Sequence, residues 1–161
     1  MGCAAMNTGP YSNEKVQRYI ETEFVPLKSE VNWKNRTDLM KKFLIKWTPT
    51  FLVQDSEGKE HERFVGFVPA DDFLARLGLG KGKVFFNQDR FAQAIELFRS
   101  VAEQHPNTGS APEAVFLLGV AEYWKTHEVK ALRRIYDTLI AKYPQSEWAR
   151  RAHPYSGISP D

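Results

Sequence analysis

The chain has a single cysteine, Cys3, among its 161 residues. One thiol excludes an internal disulfide and any cysteine-rich zinc site. Histidine is scarce too, and His61, His105, His127 and His153 stand with no ligand spacing between them. Lone histidines bind metal only with partners at fixed spacing, so all four read as surface residues and no metal is assigned. Charge of one sign is also missing, since 22 basic residues face 20 acidic ones for a net charge of +2. Without a basic block there is no nucleic-acid footprint and no polybasic membrane patch. No apolar run reaches the length of a membrane span, and no signal peptide with an apolar core precedes Gly2. The chain as given reads as soluble and cytoplasmic, with its compartment otherwise unspecified. Met1-Gly2-Cys3 is a poor lipidation signal, because Met6 stands where Ser or Thr is required. The glycine-rich Leu77-Gly78-Leu79-Gly80-Lys81-Gly82 is not a phosphate loop, since it follows no strand and lacks Gly-Lys-Ser/Thr. No nucleophile, base and orienter set can be assembled, so no cofactor is expected and hydrolase or transferase chemistry has no support.

What the chain does have is apolar and aromatic content, 42% and 13%, enough to bury a core in one domain or two small ones. Residues Ser12 to Glu21 predict a helix capped by Ser12 or Asn13, with Val16, Tyr19 and Ile20 at helical spacing. Phe24-Val25-Pro26-Leu27-Lys28 reads as a strand. A second helix from Asn35 to Lys42 places Leu39, Met40, Phe43 and Leu44 on one face and leads into Trp47, read as core. Trp33, between Asn32 and Lys34, is either a half-exposed cover for a sheet or a contact residue. Strands at Thr50 to Asp55 and Glu60 to Val65 flank Ser56-Glu57-Gly58-Lys59, a hairpin turn whose glycine supplies positive φ. A helix follows from Pro69, with Asp71 and Asp72 in its favourable first turn.

The most informative stretch is Trp47-Thr48-Pro49-Thr50-Phe51-Leu52-Val53, where a proline stands directly ahead of an apolar, β-branched run. Proline cannot donate to a sheet ladder and sits at a strand's start or edge. An X-Pro bond is also where a cis peptide costs little, so a bend that exposes the Thr48 backbone is expected, the alternative being a plain strand start with a trans bond. With Arg63, Gly66, Phe67 and the helical pattern Pro69 to Leu77, this segment resembles the thioredoxin fold. In that family the cis-proline strand lies beside a redox Cys-x-x-Cys at a helix start, and its backbone pairs with the substrate polypeptide. The resemblance implies Cys3 as the catalytic thiol, Thr48 and Pro49 as substrate contacts, and thiol–disulfide exchange in cell redox homeostasis as the activity, that of a thiol–disulfide oxidoreductase. Two registers are open for Cys3. As the first cysteine of the motif it would have Met6 in the second position; as the second, its partner would lie one residue before Met1. Met6, Tyr11 and Val16 occupy positions that commonly follow the second cysteine and favour that register. It implies that the family's first, central strand is absent, leaving inner edges that invite a rearranged sheet or a strand from a neighbour.

Beyond the glycine cluster the sequence is helical in period. Gly82, Phe85, Phe91, Ala94, Phe98, Val101 and Pro106 resemble a tetratricopeptide repeat, in which small residues let two helices approach and a proline ends the pair. Pro106, Ala111 and Ala114 recur as Pro144, Ala149 and Ala152, each 38 positions on. Ser110-Ala111-Pro112-Glu113 reads as a capping box, and Phe116, Tyr123 and Trp124 as helix-pair core. The expected architecture is an α/β thioredoxin-like domain at 1–80 that lacks its first strand, joined to an all-α tetratricopeptide-like hairpin region at 81–153 and a loose tail at 154–161. A protein substrate or partner is implied, with a homo-oligomer through exposed strand edges or repeat ends. The alternative to exchange chemistry is a non-catalytic interaction scaffold that uses the repeats.

Overall fold

The computed structural model describes residues 1–31 and 33–159, and Asn32 and residues 160–161 lie outside the description. The chain divides into two compact units, one made of residues 1–52 and 63–74 and the other of residues 53–62 and 75–161.

In the first unit, α1 (Gly2–Thr8) buries Met6 and leads through a 3-10 turn at Pro10–Ser12 into α2 (Glu14–Glu23). Asn13 starts α2 because its side-chain oxygen accepts from the Lys15 and Val16 amides at 2.9 and 3.3 Å, satisfying donors that the first helical turn leaves open. Helix α3 (Asp38–Lys42) begins three residues later than the sequence suggests, where the Thr37 hydroxyl accepts from Met40 N at 3.2 Å. Strands β1 (Thr50–Gln54) and β2 (Glu60–Val65) pair in a two-stranded sheet. Their turn is closed by Asp55, whose Oδ1 accepts from the Glu57 and Lys59 amides at 3.0 and 2.9 Å. Gly58 has the expected positive φ, +80°. The core of this unit is aromatic: Phe51 stacks on Phe64 with centroids 4.7 Å apart, and Phe73 and Tyr11 meet Phe51 edge-on at 4.9 and 6.5 Å.

The strand expected at Phe24 to Lys28 is not formed. β-Propensity needs a ladder partner, and among the described residues β1 and β2 pair only with each other. Val25 and Leu27 stand in solvent, 99% and 80% exposed.

The second unit is built on helices. Helix α4 (Ala70–Asn87) starts in the first unit and runs unbroken through the glycine cluster where a boundary was expected. Close packing explains why glycine is tolerated there. A Cβ on Gly80 would stand 2.8 Å from Val53 Cγ2 and 2.9 Å from Glu62 Cβ, and one on Gly82 would stand 2.5 Å from Phe98 Cε1. Helices α5 (Phe91–Gln104), α6 (Ala111–Thr126), α7 (Lys130–Lys142) and α8 (Glu147–Ala152) follow. Leu79, Ala94, Phe98 and Ala121 belong to one buried cluster and Val115, Ile135, Leu139 and Ala152 to a second. The Gly82–Phe98 contact recurs as Gly119 against Ile135, 37 positions on, where a Cβ would stand 2.2 Å from Ile135 Cγ1.

Three expectations are corrected in this unit. The capping box at Ser110 is not made: its side chain makes no cap bond, its Oγ is buried without a hydrogen-bond partner, and Glu113 instead meets Lys83 Nζ at 2.6 Å. Trp124 is 52% exposed, stacked on Phe91 rather than enclosed. The chain after α8 forms a 3-10 turn, His153–Gly157, which Arg133 holds by donating to the Ser156 and Ile158 carbonyls at 2.9 Å each, so that it is tied down as far as Ile158.

Candidate functional site

Cys3 lies in the first turn of α1 and is exposed. Its neighbour Gly2 packs on the start of β1: a Cβ at Gly2 would stand 3.0 Å from Pro49 Cδ and 3.6 Å from the Thr48 carbonyl oxygen. The fold therefore brings the Gly2-Cys3 turn and Thr48-Pro49 together across 46 positions of chain. The Thr48–Pro49 peptide is cis. Pro49 is buried and its carbonyl accepts from Gly66 N at 2.8 Å, while Gly66 takes φ +94°, a conformation that suits glycine. The Thr50 hydroxyl donates to the Trp47 carbonyl at 2.7 Å, fixing the bend ahead of the strand.

Tyr11 borders this region and was singled out in the sequence only as a spacing residue. Burial raises its phenol pKa, and the electrostatic effect of Cys3 raises it further. Lys28 Nζ lies 5.6 Å above the same ring and donates to Asn7 Oδ1 at 3.3 Å. The indole of Trp47, read from the sequence as core, is instead 70% exposed directly beside Thr48, and Trp33 is half-exposed.

A second polar constellation lies in the other unit, and sequence reading missed it. His61 is not a surface residue, because its side chain is 1% exposed. Its Nε2 meets Asp55 Oδ2 at 2.8 Å and its Nδ1 meets Asn87 Nδ2 at 2.9 Å. The Asn87 amide donates, so Nδ1 accepts and Nε2–H donates to the carboxylate. Both ring nitrogens are used, which leaves neither for proton transfer and makes His61 a pin for the turn. The His61 bond, followed by the Lys59 amide bond, lowers the Asp55 pKa. Beside it Glu62, 6% exposed, is held by Arg76 NH1 at 3.0 Å and Lys83 Nζ at 2.5 Å, and Lys83 also serves Glu113. A buried carboxylate requires such partners. Alternating faces along β2 were the available signal, since Glu62 and Phe64 both point inward.

Among the described residues no group of three His, Cys, Asp or Glu side chains is placed to hold a metal ion, and no helix is long and apolar enough to cross a membrane. No match to the chain was found among curated proteins or among solved structures. The sequence profile of the thioredoxin-like domain matches residues 1–81, and that of the tetratricopeptide repeat matches residues 78–108. The first match spans half of the chain and coincides with the α1, hairpin and Thr48-Pro49 arrangement, so the chain belongs to the thioredoxin-like family, and it carries a tetratricopeptide repeat after that domain.

Proposed function

We propose that the protein carries out thiol–disulfide exchange through Cys3, with Thr48 and Pro49 contacting the substrate polypeptide, residues 1–80 acting as the redox domain and residues 81–153 as the partner-binding region. The observation that carries this reading is the packing of Gly2, the residue before the single cysteine, on Pro49, at the strand start that the family uses for substrate. In the reaction the Cys3 thiolate attacks one sulfur of a substrate disulfide, forming a mixed disulfide and releasing the other sulfur as a thiolate. With no second cysteine in the chain, resolution falls to an external thiol, glutathione or a partner protein. That thiol attacks the substrate sulfur of the mixed disulfide, releasing the Cys3 thiolate and forming a substrate–external thiol disulfide, which a second external thiol reduces, so two thiols supply the electron pair and leave as a disulfide.

The test is to challenge the folded chain with glutathione disulfide and follow the intact mass. One glutathione adduct is expected on Cys3, none on Cys3→Ala, with a rate above that of the urea-unfolded chain. Gly2→Val, which forces the helix start away from Pro49, lowers that rate. A folded rate equal to the unfolded one refutes the reading, as does insulin reduction at equal speed by the wild type and Cys3→Ala.

The repeat match favours a second reading, a non-catalytic scaffold in which the helical unit holds a protein partner. Cys3→Ala leaves partner capture intact under this reading and abolishes it under the first wherever capture is through a mixed disulfide. Self-association through the outer edge of β1 or the repeat ends belongs to the same proposal, and sedimentation showing a monomer at all concentrations removes it.

A further inference from the structure

The turn at His153–Gly157 is held as a bound peptide is held. Arg133 NH1 donates to two backbone carbonyls, Ser156 and Ile158, at 2.9 Å each. The Arg133 fork is itself positioned, since its Nε meets both carboxylate oxygens of Asp137 at 2.9 and 3.0 Å. Tyr155 lies over Phe116 with centroids 6.1 Å apart and an interplanar angle of 28°, and it packs against the second buried cluster. His153 meets the Tyr136 ring edge-on at 6.4 Å. Backbone carbonyls captured by a fixed guanidinium, with one aromatic anchor on an apolar wall, recognise a segment largely by its main chain and by a single side chain.

The geometry points to a peptide-docking groove on α6 and α7, lined by Phe116, Arg133 and Tyr136, which the chain's own residues 153–158 occupy as an intramolecular strap. The outside occupant is a protein segment of the strap's chemistry, an aromatic residue whose backbone presents carbonyls one and three positions later, as Tyr155 is followed by Ser156 and Ile158. The strap and an outside segment compete for the groove, so docking requires the strap to leave. The site lies within the helical unit and extends the scaffold reading; the assay below involves no sulfur chemistry, so its failure leaves Cys3 exchange untouched and the converse also holds.

A strap tethered next to its site has an effective concentration on the order of millimolar. Its occupancy in cis therefore requires the detached segment to bind with a Kd of roughly 1 mM or tighter. The experiment titrates a synthetic peptide of residues 153–159 into the full-length chain and follows backbone amide shifts by NMR. In Tyr155→Ala, residues 153–158 are expected to become mobile and the peptide to shift Phe116, Arg133 and Tyr136 in a saturable way. Binding to the wild type is expected to be at least about tenfold weaker, because the strap is in place. Adding Arg133→Gln to Tyr155→Ala abolishes the shifts. Arg133→Gln alone is a second opener should Tyr155→Ala unfold, and it must loosen residues 153–158. The proposal is overturned if an opened strap leaves the groove unable to bind the peptide, if wild type and Tyr155→Ala bind equally, or if neither substitution loosens the strap, which would make the turn a fixed part of the fold.

Discussion

Replacing Gly119 with alanine puts a single carbon into the tightest helix contact of the second unit. The new Cβ would stand 2.2 Å from Ile135 Cγ1, 2.7 Å from Ile135 Cδ1 and 3.0 Å from the Ala131 carbonyl oxygen. Ile135 is 2% exposed, and the Ala131 carbonyl is backbone. Overpacking of this kind costs about 1–3 kcal/mol, and the upper end applies because more than 1 Å of movement is required. Alanine returns about 1 kcal/mol of helix propensity. The net expectation is a destabilisation of roughly 1–2 kcal/mol, or a fall in Tm of about 2–8 °C for a protein of this size. Gly109→Ala is the control, since nothing lies within 4 Å of its Cβ position, and it is expected to be neutral or slightly stabilising. The discriminating measurement is a double-mutant cycle with Ile135→Val, in urea and by thermal melting. Trimming Ile135 removes part of the clash, so the pair is expected to be less damaged than the sum of the singles by about 0.5–1 kcal/mol. Additive effects, or a Gly119→Ala chain as stable as wild type, would refute the close approach of α6 and α7.

The remaining expectations concern charge and exposure. Glu62→Gln removes the buried carboxylate that Arg76 and Lys83 share, and a buried pair broken on one side costs about 3–5 kcal/mol, reduced here to the lower part of that range because Arg76 and Lys83 are partly exposed; urea unfolding measures it. Asp55→Asn tests the turn through pH: the Asp55 pKa is lower in the folded chain, so its contribution is present above the ordinary aspartate range and fades as pH falls through it. The stability gap between wild type and Asp55→Asn is therefore expected to narrow below about pH 4, and a gap independent of pH would remove the carboxylate's role. Trp47→Ala is expected to change stability by less than about 0.5 kcal/mol, as for exposed positions generally, and a loss of several times that would restore the core reading of this residue.

The elements legible in the sequence are those whose cause is local. Asn13 caps α2 with its own side chain, and Gly58 takes the positive φ that its turn requires; both follow from residues within three or four positions. The glycines of α4 read as a boundary, and the two family matches do meet at residues 78–81; what the sequence does not show is that one helix runs through them, with Gly80 and Gly82 facing Val53 and Phe98, which are remote in sequence. The packing that selects glycine there is tertiary and outweighs a propensity cost of about 1 kcal/mol per residue. His61 was hidden for the same reason, since Asn87 lies 26 positions away and brings its amide to the ring only once α4 is in place. Phe24 to Lys28 failed in the opposite direction: its composition suits a strand, but a strand is a property of a pair, and among the described residues β1 and β2 pair only with each other.

The candidate site divides along the same line. Pro49 announced the bend because a proline restricts its own φ and removes its own donor, consequences that need no other part of the chain. Cys3 is marked only through the family resemblance and the Met6, Tyr11 and Val16 that follow it, since a lone thiol near a helix start has no local consequence of its own. Its setting comes from Gly2, the small residue that lets α1 approach Pro49, and from Tyr11, whose phenol pKa is raised by burial and then by the electrostatic effect of Cys3. The exchange reading thus rests on a contact spanning 46 positions, and enlarging Gly2 separates that contact from the thiol itself: Gly2→Val keeps the sulfur and removes its setting, while Cys3→Ala keeps the setting and removes the sulfur. A rate that falls only in the second variant would mean that the thiol acts without the strand beside it, as an exposed cysteine in any helix would.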